Sequence, residues 1–329
     1  MPRVSEQSSC DKPMVSVHMI TYNHERFIAQ AIESVLMQET DFSVELIIGE
    51  DCSTDGTRQI VKDYARKYPN IIRPLLHEQN LGSNNNCVSV LKACRGKFIA
   101  LLEGDDYWTD PRKLQKQVRF MEEHPKCGMC FHDALVEQYD ANYRLLETCP
   151  FYSIPPNATY DFASFVKGFY PPTAACLLIN DRASMLPFFD GRLVLFAKTL
   201  IYCVLEKGGL AGFLPEVMSV YRIQPGGIFS SITLEKQLLM SNSGLWPTWR
   251  YFTKPEQIKL FNARLAENYT ILCTVYFRQG KIWSFIKSYC CVLRLICYPP
   301  TMAGIGKFAL DQVCFIARGL RKIARVLQK

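Results

Sequence analysis

The sequence predicts an α/β fold in which a mostly parallel β-sheet is covered by helices. From residue 14 to residue 136, short apolar runs typical of buried strands alternate with segments whose apolar residues recur at helical spacing. Polar and acidic residues directly follow several of these runs, at the sheet edge where α/β proteins bind ligands. The chain has 329 residues, 48% of them hydrophobic and 21% charged, which is enough to bury the core of one large domain.

Five strands and four helices are expected in this first part of the chain. The apolar runs that predict strands cover residues 14–20, 44–49, 71–76, 98–102 and 127–136. The helical spacing of apolar residues predicts helices at about residues 28–36, 57–68, 83–93 and 111–121. Asp110 is the expected N-cap of the last helix, and Pro111 its first residue.

The pattern weakens after about residue 137. It predicts a strand at 174–179, a helix at 196–206 and a strand-like segment at 213–221, and then three helices, at 269–277, 281–297 and 307–327. We therefore expect a loose tail at 1–12, a main domain at 13–235 that divides after residue 136, and a helical region at 236–329.

Basic residues are concentrated in the last part of the chain. Residues 258–329 contain twelve Lys and Arg and two acids, a net charge of +10, whereas the whole chain carries +7. The preceding residues are therefore slightly acidic, which argues against nucleic-acid binding by the main domain. Lys287 and Arg294 interrupt the best candidate for a membrane-spanning helix. We expect basic amphipathic helices lying on a membrane surface, and the alternative is that they pack on the main domain or a partner.

An acidic turn follows the fourth predicted strand. Residues 97–108 read KFIALLEGDDYW, so that Glu103, Asp105 and Asp106 come directly after a buried run. Like charges this close together are costly unless a cation or hydrogen-bond donors compensate them. These acids could therefore form a ligand-binding site, or simply a solvated acidic turn, which is the simpler interpretation. The residues that precede the turn decide between these two interpretations.

The same edge of the sheet should carry the ends of two further strands. Thr21, Tyr22 and Asn23 follow the first strand, and Glu50 and Asp51 end the second. The chain has no GxxxxGKS/T loop and no glycine fingerprint after its first strand, so neither of those turns would hold a nucleotide here. Acids in their place predict Mg²⁺ or Mn²⁺ bridging pyrophosphate oxygens.

Four segments between residues 14 and 135 together resemble inverting family 2 glycosyltransferases with the GT-A fold, a Rossmann-like sheet covered by helices. They read VSVHMITYNHERFIAQAIESVLMQ, VELIIGEDCSTDGT, HEQNLGSNNN and FIALLEGDDYWTDPRKLQKQ. The last is similar to the Glu-Gly-Asp-Asp-Tyr-Trp variety of the family, with Glu103 where many members have the first aspartate of a D-x-D motif. The resemblance implies a nucleotide-sugar donor, most often UDP-linked, and transfer with inversion of configuration.

The resemblance also implies roles for individual side chains. Thr21 and Tyr22 would lie against the nucleoside, and Asp51 would accept a hydrogen bond from the base. Asp106 would hold Mg²⁺ or Mn²⁺ on the diphosphate, and Asp105 would lie beside the ribose and next to this metal. The remaining members of the predicted nucleotide-sugar site are Asn23, Glu50 and Asn80.

The sequence departs from the family at the expected catalytic base. Similar proteins usually read Gly-Asp-x-x-Leu at the start of the helix that ends in Glu-Lys-Gly, whereas this chain reads FAKTL at 196–200 and has Ala197 in place of the aspartate. Asp190, the closest acid upstream, is the predicted base, and Asp133 is an alternative. Gln224, in the matching segment VMSVYRIQPGG, stands where a histidine is common.

Together with these features, the resemblance implies a metal-dependent hexosyltransferase, with residues 13–136 as its nucleotide-sugar half and 137–235 as its acceptor half. The acceptor would be a glycan or a lipid-linked glycan, as in surface polysaccharide assembly. The basic helices of residues 236–329 would hold the protein on the inner face of the cell membrane. Fourteen scattered cysteines and a polar N-terminus without a secretory signal favour the reducing cytoplasm.

Two other functions are considered. A catalytically weak or inactive nucleotide-binding scaffold with the same fold is suggested by Ala197 and Gln224. A sugar nucleotidyltransferase is disfavoured, because no glycine-rich basic loop follows the first strand to take a nucleoside triphosphate.

Overall fold

The computed structural model describes residues 12–153, 157–189, 196–207, 209–227, 232–249 and 252–296. The strands are β1 (Val15–Thr21), β2 (Val44–Glu50), β3 (Ile72–Leu76), β4 (Phe98–Glu103), β5 (Tyr107–Trp108), β6 (Cys127–Tyr139), β7 (Leu145–Pro150), β8 (Thr159–Tyr160), β9 (Leu177–Ile179) and β10 (Leu210–Ile223). The helices are α1 (Ile28–Leu36), α2 (Thr57–Lys67), α3 (Ser83–Ala93), α4 (Lys113–Glu123), α5 (Phe162–Val166), α6 (Arg182–Met185), α7 (Phe196–Glu206), α8 (Leu234–Trp249), α9 (Pro255–Arg278) and α10 (Ile282–Ile296).

One mixed sheet contains these ten strands. Eight lie in the order β3-β2-β1-β4-β9-β6-β10-β5, while β7 pairs with β6 and β8 with β10. The first four strands are parallel to one another, and β6 is parallel to β10. Because β9 is antiparallel to both β4 and β6, the strands β6 and β10 run in the same direction as the first four. The predicted α/β fold with a mostly parallel sheet is confirmed.

The parallel strands form the centre of the core. Every residue of β2 is buried, and β1 and β4 each leave only one residue partly exposed. Such strands are rich in apolar residues at successive positions, because a parallel sheet is covered on both faces. Helix α1 contributes its apolar stripe to this core through Ile28, Ile32 and Val35, which are fully buried. The positions of the strand ends are therefore determined by a rigid, buried sheet.

Two predicted boundaries are wrong. Helix α4 begins at Lys113 rather than at Pro111, because Lys113 N donates to Asp110 O at 3.2 Å and the intervening residues form a separate turn. The strand expected at 174–179 is reduced to β9, since Thr173–Ala175 forms a 3₁₀ turn. The predicted segments near β6, α7 and β10 are confirmed, and the two long strands extend beyond their expected ends.

Strand β10 reaches the acidic turn through the short strand β5. Tyr107 and Trp108 pair in antiparallel register with Val220 and Ser219. Tyr107 follows the acidic turn directly, so this pairing places the residues after Val220 beside the turn. A segment more than 100 residues away in sequence thus becomes part of the same edge of the sheet.

The C-terminal helices belong partly to a second unit. Compact units of the chain divide between Leu260 and Phe261, within α9. The helix predicted at 269–277 is part of α9, which begins earlier, at Pro255. The helix predicted at 281–297 is confirmed by α10, while the one predicted at 307–327 lies outside the described residues. Among the helices that the structure describes, none is long and apolar enough to span a bilayer. The predicted domain limits at residues 13, 136 and 235 stay predictions.

Candidate active site

Two neighbouring strands end beside the end of β1. In the parallel register, Thr21 lies next to Glu50 of β2, and Ile20 lies next to Glu103 of β4. The pairing continues past the end of β4, where Gly104 N donates to Ile20 O at 2.9 Å. The structure therefore brings the three sequence-predicted groups together at one edge of the sheet, as the parallel arrangement requires.

Gly104 allows the acidic turn to lie close against the residues that follow β1. A Cβ atom on Gly104 would lie 2.7 Å from Thr21 Oγ1 and 3.0 Å from His24 Nδ1. Both of these polar atoms are buried, and neither has a hydrogen-bond partner within the described chain. Buried polar atoms without a partner are uncommon in native proteins and mark positions where a ligand or water completes the site.

Asp106 is the most buried acid of the turn, with only 1% of its surface exposed. Its Oδ1 accepts a hydrogen bond from Arg222 N at 2.8 Å. Its Oδ2 is buried and has no partner among the residues that the structure describes. Because an unpaired buried carboxylate oxygen is unfavourable, this atom is suited to holding a cation.

The environment of the turn raises the pKa values of two of its acids. Burial, reinforced by Asp105, raises the pKa of Glu103 to about 8, and a hydrogen bond from Thr173 offsets only part of this change. Burial also raises the pKa of Asp106 well above its ordinary value, with Asp105 and Glu103 adding to the effect and Arg222 opposing it. A divalent cation bound to Asp106 would take the place of its proton and compensate the repulsion between the acids of the turn.

Asp105 lies in a more open position and has partners of its own. Its side chain is 17% exposed, and its Oδ2 lies 3.8 Å from His24 Nε2. The same oxygen accepts a hydrogen bond from Gln224 Nε2 at 3.1 Å. Gln224, which differs from the histidine common in similar proteins, therefore contacts the acidic turn directly.

Arg222 is a residue of the site that the sequence analysis missed. It is 4% exposed, and its backbone N donates to Asp106 while its Nη1 donates to Asp105 O at 2.9 Å. Its Nη2 donates to Gln30 Oε1 at 2.5 Å, and its Nε lies 3.4 Å from Glu137 Oε2. Arg222 was present in the matching segment VMSVYRIQPGG, but its partners are distant in sequence and no local pattern indicates them.

Asn23 connects the loop after β1 to the loop after β2. It has a φ of +57°, a left-handed conformation that Asn adopts more readily than most residues. Its N donates to Ser53 Oγ at 3.0 Å, and its Oδ1 accepts from Thr54 N at 2.8 Å. These contacts make Asn23 a positioning residue for the neighbouring Tyr22, whose side chain is 42% exposed.

Asp51, directly after β2, contacts the loop that precedes α3, and Asn80 lies in this loop. Asp51 is buried, and its Oδ1 accepts a hydrogen bond from Leu81 N at 2.7 Å. Asn80 Oδ1 accepts one from Gly82 N at 2.9 Å, and Gly82 has a φ of +79° that favours glycine. Because β2 and β4 flank β1, these two residues lie on the opposite side of Thr21 from the acidic turn.

Glu50 is buried and engaged by the protein itself. Its Oε1 accepts a hydrogen bond from Ser53 N at 2.7 Å, and its Oε2 forms an ion pair with Arg58. Arg58 also donates to His77 O. These contacts stabilise the loop after β2, and a direct contact of Glu50 with a nucleotide sugar stays a prediction.

Of the two candidate bases, Asp133 lies among the described residues. Phe196 begins α7, with its ring stacked on His18 of β1 at 5.0 Å, and Ala197 is partly buried. Asp190, the predicted base, lies outside the described residues. Asp133 is partly buried on β6, where its Oδ1 accepts a hydrogen bond from the next backbone N at 2.7 Å. The identity of the base stays a prediction.

The acidic turn fits a divalent cation whose remaining ligands come from outside the protein. No group of three or more His, Cys, Asp or Glu side chains among the described residues forms a metal site alone. Mg²⁺ is usually bound by one or two carboxylates together with phosphate oxygens and water. Asp106, with its unpaired Oδ2, and the partly exposed Asp105 supply two such carboxylates.

Comparison with known proteins connects this geometry to a family. Residues 16–179 match the glycosyl transferase family 2 profile. The putative teichuronic acid biosynthesis glycosyltransferase TuaG of Bacillus subtilis is 35% identical over 220 residues, which are 67% of this chain and 83% of TuaG. An uncharacterized protein of Mycobacterium tuberculosis is 34% identical over 230 residues, so that the match covers 70% of this chain and 64% of that relative.

Two solved structures share the fold. S. aureus TarS 1–349 in complex with UDP-GlcNAc has a TM-score of 0.61 at 17% identity, covering 83% of this chain and 79% of TarS 1–349. The mannosyltransferase PcManGT from Pyrobaculum calidifontis, in complex with GDP-Man and Mn²⁺, has a TM-score of 0.52 at 14% identity, covering 97% of this chain and 85% of the PcManGT chain. With the sheet order, the family match and the identity to TuaG, these likenesses establish that the chain belongs to glycosyl transferase family 2 and has the GT-A fold.

Proposed function

We propose that the protein transfers a hexose from a UDP-linked donor to a hydroxyl group of a glycan or lipid-linked glycan, with inversion of configuration. The observation that carries the proposal is the buried Oδ2 of Asp106, unpaired within the described chain, at the strand-end edge of a family 2 glycosyltransferase. The ligands of TarS and PcManGT support a nucleotide-sugar donor and a metal, and the name of TuaG supports a role in surface polysaccharide biosynthesis.

The donor would lie across the end of β1. We assign its nucleoside to the β2 side, where Asp51 and Asn80 lie together and Tyr22 exposes a ring that can stack on a base. We assign its diphosphate to the β4 side, next to Asp106. Thr21, whose Oγ1 is buried without a partner in the described chain, lies between the two and can donate to the donor.

Asp106 and Asp105 would hold the Mg²⁺ or Mn²⁺. When bound, the cation neutralises the charge that develops on the nucleoside diphosphate leaving group. Arg222 occupies Asp106 Oδ1 and thereby directs the other oxygen to the metal. Because its pKa is raised to about 8, Glu103 is mostly protonated at neutral pH and serves as a hydrogen-bond donor rather than a metal ligand.

Inversion requires a carboxylate that takes the proton of the acceptor hydroxyl while its oxygen attacks the anomeric carbon opposite the leaving group. We assign this role to Asp190, the closest acid before Ala197. Asp190→Ala is expected to abolish transfer while UDP binding is kept. Retained transfer would reject Asp190 and make Asp133 the next candidate.

Incubating the full chain with a panel of nucleotide sugars, Mn²⁺ and glycan or lipid-linked acceptors tests the reaction itself. We expect acceptor-dependent release of UDP from a UDP-hexose. Asp106→Asn should lower this rate by about 100-fold or more, the scale of other losses of transition-state charge stabilisation. Asp41→Asn is the matched control, because Asp41 is exposed and precedes β2 at the opposite edge of the sheet. Equal rates for these two variants would contradict the proposal.

A nucleotide-binding protein without transferase activity is the second candidate, and Ala197 favours it. Both functions use the same donor site, so both predict UDP binding that depends on Mn²⁺. They differ in turnover. Metal-dependent UDP binding, combined with no transfer from any donor to any acceptor of the panel, would favour the non-catalytic function.

We further propose that residues 258–329 keep the protein on the inner face of the cell membrane, near a lipid-linked acceptor. Their net charge of +10 supports this location, because cytoplasmic membrane surfaces are anionic. Deletion from residue 270 onward is expected to move the protein from the membrane pellet to the supernatant. An unchanged distribution would contradict the proposed location.

A further inference from the structure

The turn between α9 and α10 presents large apolar side chains to solvent. We call residues 277–283, FRQGKIW, the hairpin tip, and all seven of them are exposed. Within it, Phe277 is 67%, Ile282 57% and Trp283 78% exposed. Scattered single apolar residues on a surface are ordinary, but a contiguous group with two aromatic rings marks a site of interaction.

The conformation of the tip is set by its backbone. Gly280 has a φ of +68°, which favours glycine, and its N donates to Phe277 O at 3.1 Å. Lys281 N donates to Tyr276 O at 2.9 Å. Other apolar side chains of the two helices are buried, namely Leu272, Cys273, Tyr276, Val292 and Leu295. Phe277 and Trp283 are not among these buried positions, and the ring of Phe277 contacts that of Phe285, with 6.2 Å between their centroids.

The charge around the tip has a single sign. Residues 268–296 contain four basic residues and no acid. Arg278 and Lys281 belong to the tip, and Lys287 and Arg294 are exposed on α10. This combination fits the interface of an anionic bilayer, where aromatic and aliphatic side chains enter the headgroup and acyl boundary and Lys and Arg contact the lipid charges.

We propose that the hairpin tip inserts into the surface of an anionic lipid bilayer through Phe277, Ile282 and Trp283. The inference rests on the membrane location proposed for the basic region and specifies the side chains that make the contact. It does not depend on transferase activity, so vesicle binding tests it independently of sugar transfer.

Sedimentation of the full chain with sucrose-loaded vesicles measures the contact. For vesicles of equal parts phosphatidylcholine and phosphatidylglycerol, the double variant Phe277→Ala/Trp283→Ala is expected to lower the partition coefficient by about tenfold or more, because two large apolar side chains no longer leave water. The matched control is Leu145→Ala/Leu146→Ala, since these side chains are 52% and 62% exposed on β7. This control should bind like the unaltered protein.

Tryptophan fluorescence reports insertion directly. Vesicles with brominated acyl chains should quench part of the emission of the unaltered protein. Trp283→Phe should remove this quenching while vesicle binding persists, because Phe keeps the apolar contact but not the emission. Unchanged quenching in Trp283→Phe would show that another segment enters the bilayer.

Two further results would overturn the proposal. The first is that the double variant binds vesicles as tightly as the unaltered protein, whereas deletion from residue 270 abolishes vesicle binding. This result would assign the membrane contact to another part of the basic region. The second is that the unaltered protein self-associates without lipid in sedimentation velocity, and that Phe277→Ala/Trp283→Ala abolishes this self-association. This result would make the tip a contact between two copies of the chain. Unchanged thermal unfolding of the double variant distinguishes both results from misfolding.

Discussion

At the scale of single residues, Arg222 gives the two aspartates of the acidic turn different surroundings. Its guanidinium lies 4.9 Å from the ring centroid of Phe27 and 4.3 Å from that of Tyr107, which are cation–π distances. Its backbone N occupies one oxygen of Asp106, and its Nη1 holds the carbonyl of Asp105. A buried cation with these partners fixes β10 against the turn and leaves Asp106 Oδ2 for a ligand.

Replacing Arg222 with Met tests this arrangement. The side chain keeps its approximate length, but Glu137 loses its ion-pair partner and the carbonyl of Asp105 loses a buried donor. The free energy of unfolding, measured by urea denaturation, is expected to fall by about 3 kcal/mol, the scale for removing one member of a buried ion pair. Arg119→Met, which removes the exposed ion pair with Glu123 on α4, should leave the free energy of unfolding nearly unchanged. Equal stabilities of the two variants would contradict the role given to Arg222.

The raised pKa of Glu103 predicts a specific pH dependence. In the folded protein this pKa is about 8, whereas 4.5 is its ordinary value. Between these values the unfolded chain has lost the proton and the folded chain keeps it, so the stabilising contribution is complete below pH 4.5 and is lost as the pH rises through 8. Glu103→Gln should therefore gain stability relative to the unaltered protein from pH 5 to pH 8, by up to about 1.4 kcal/mol per pH unit. If the difference in free energy of unfolding between Glu103→Gln and the unaltered protein does not change with pH, the raised pKa of Glu103 is contradicted.

At the scale of elements, the end of β4 can approach β1 only because position 104 has no side chain. Gly104→Ala would place a methyl group 2.7 Å from Thr21 Oγ1, and we expect a loss of about 1–3 kcal/mol of stability together with weaker UDP binding. Gly56→Ala is the control, because its methyl group would meet only the Glu25 side chain, with Oε2 at 3.1 Å and Cβ at 3.7 Å. If Gly104→Ala bound UDP as tightly as Gly56→Ala, the close approach would be irrelevant to the site.

Local patterns in the sequence were sufficient for the parallel part of the sheet. The runs that became β1, β2 and β4 are buried on both faces, so apolar residues predominate in them and they are easily recognised. The parallel arrangement then places Thr21, Glu50 and Glu103 side by side without further information. For this reason the sequence located the candidate donor site but did not distinguish which acids are engaged by the protein itself.

The same patterns could not reveal the parts that depend on distant pairing. β5 has two residues, too few for any periodicity, and its partner in β10 is more than 100 residues away. The contact between Asp106 and Arg222 follows from that pairing and was missed with it. Asp110 is not the N-cap of α4 that its sequence predicts, because an Asp-Pro pair can open a turn as well as a helix.

At the scale of the whole molecule, charge is divided unevenly along the chain. Residues 258–329 carry +10, whereas the residues before them carry −3. If the basic part binds anionic membranes, raising NaCl from 50 to 500 mM should weaken binding to phosphatidylglycerol vesicles by about tenfold or more, since salt screens exposed charges. Vesicle sedimentation measures the change. Binding that is insensitive to salt would contradict an electrostatic contribution.

The central claim is that the acidic turn of β4 binds a nucleoside diphosphate through a divalent cation held by Asp106. Calorimetric titration of UDP into the full chain, with and without Mn²⁺, tests it most directly. We expect binding with Mn²⁺, at least tenfold weaker binding without it, and no effect of Mn²⁺ in Asp106→Asn. Equally tight, Mn²⁺-dependent binding of UDP to Asp106→Asn would contradict the claim.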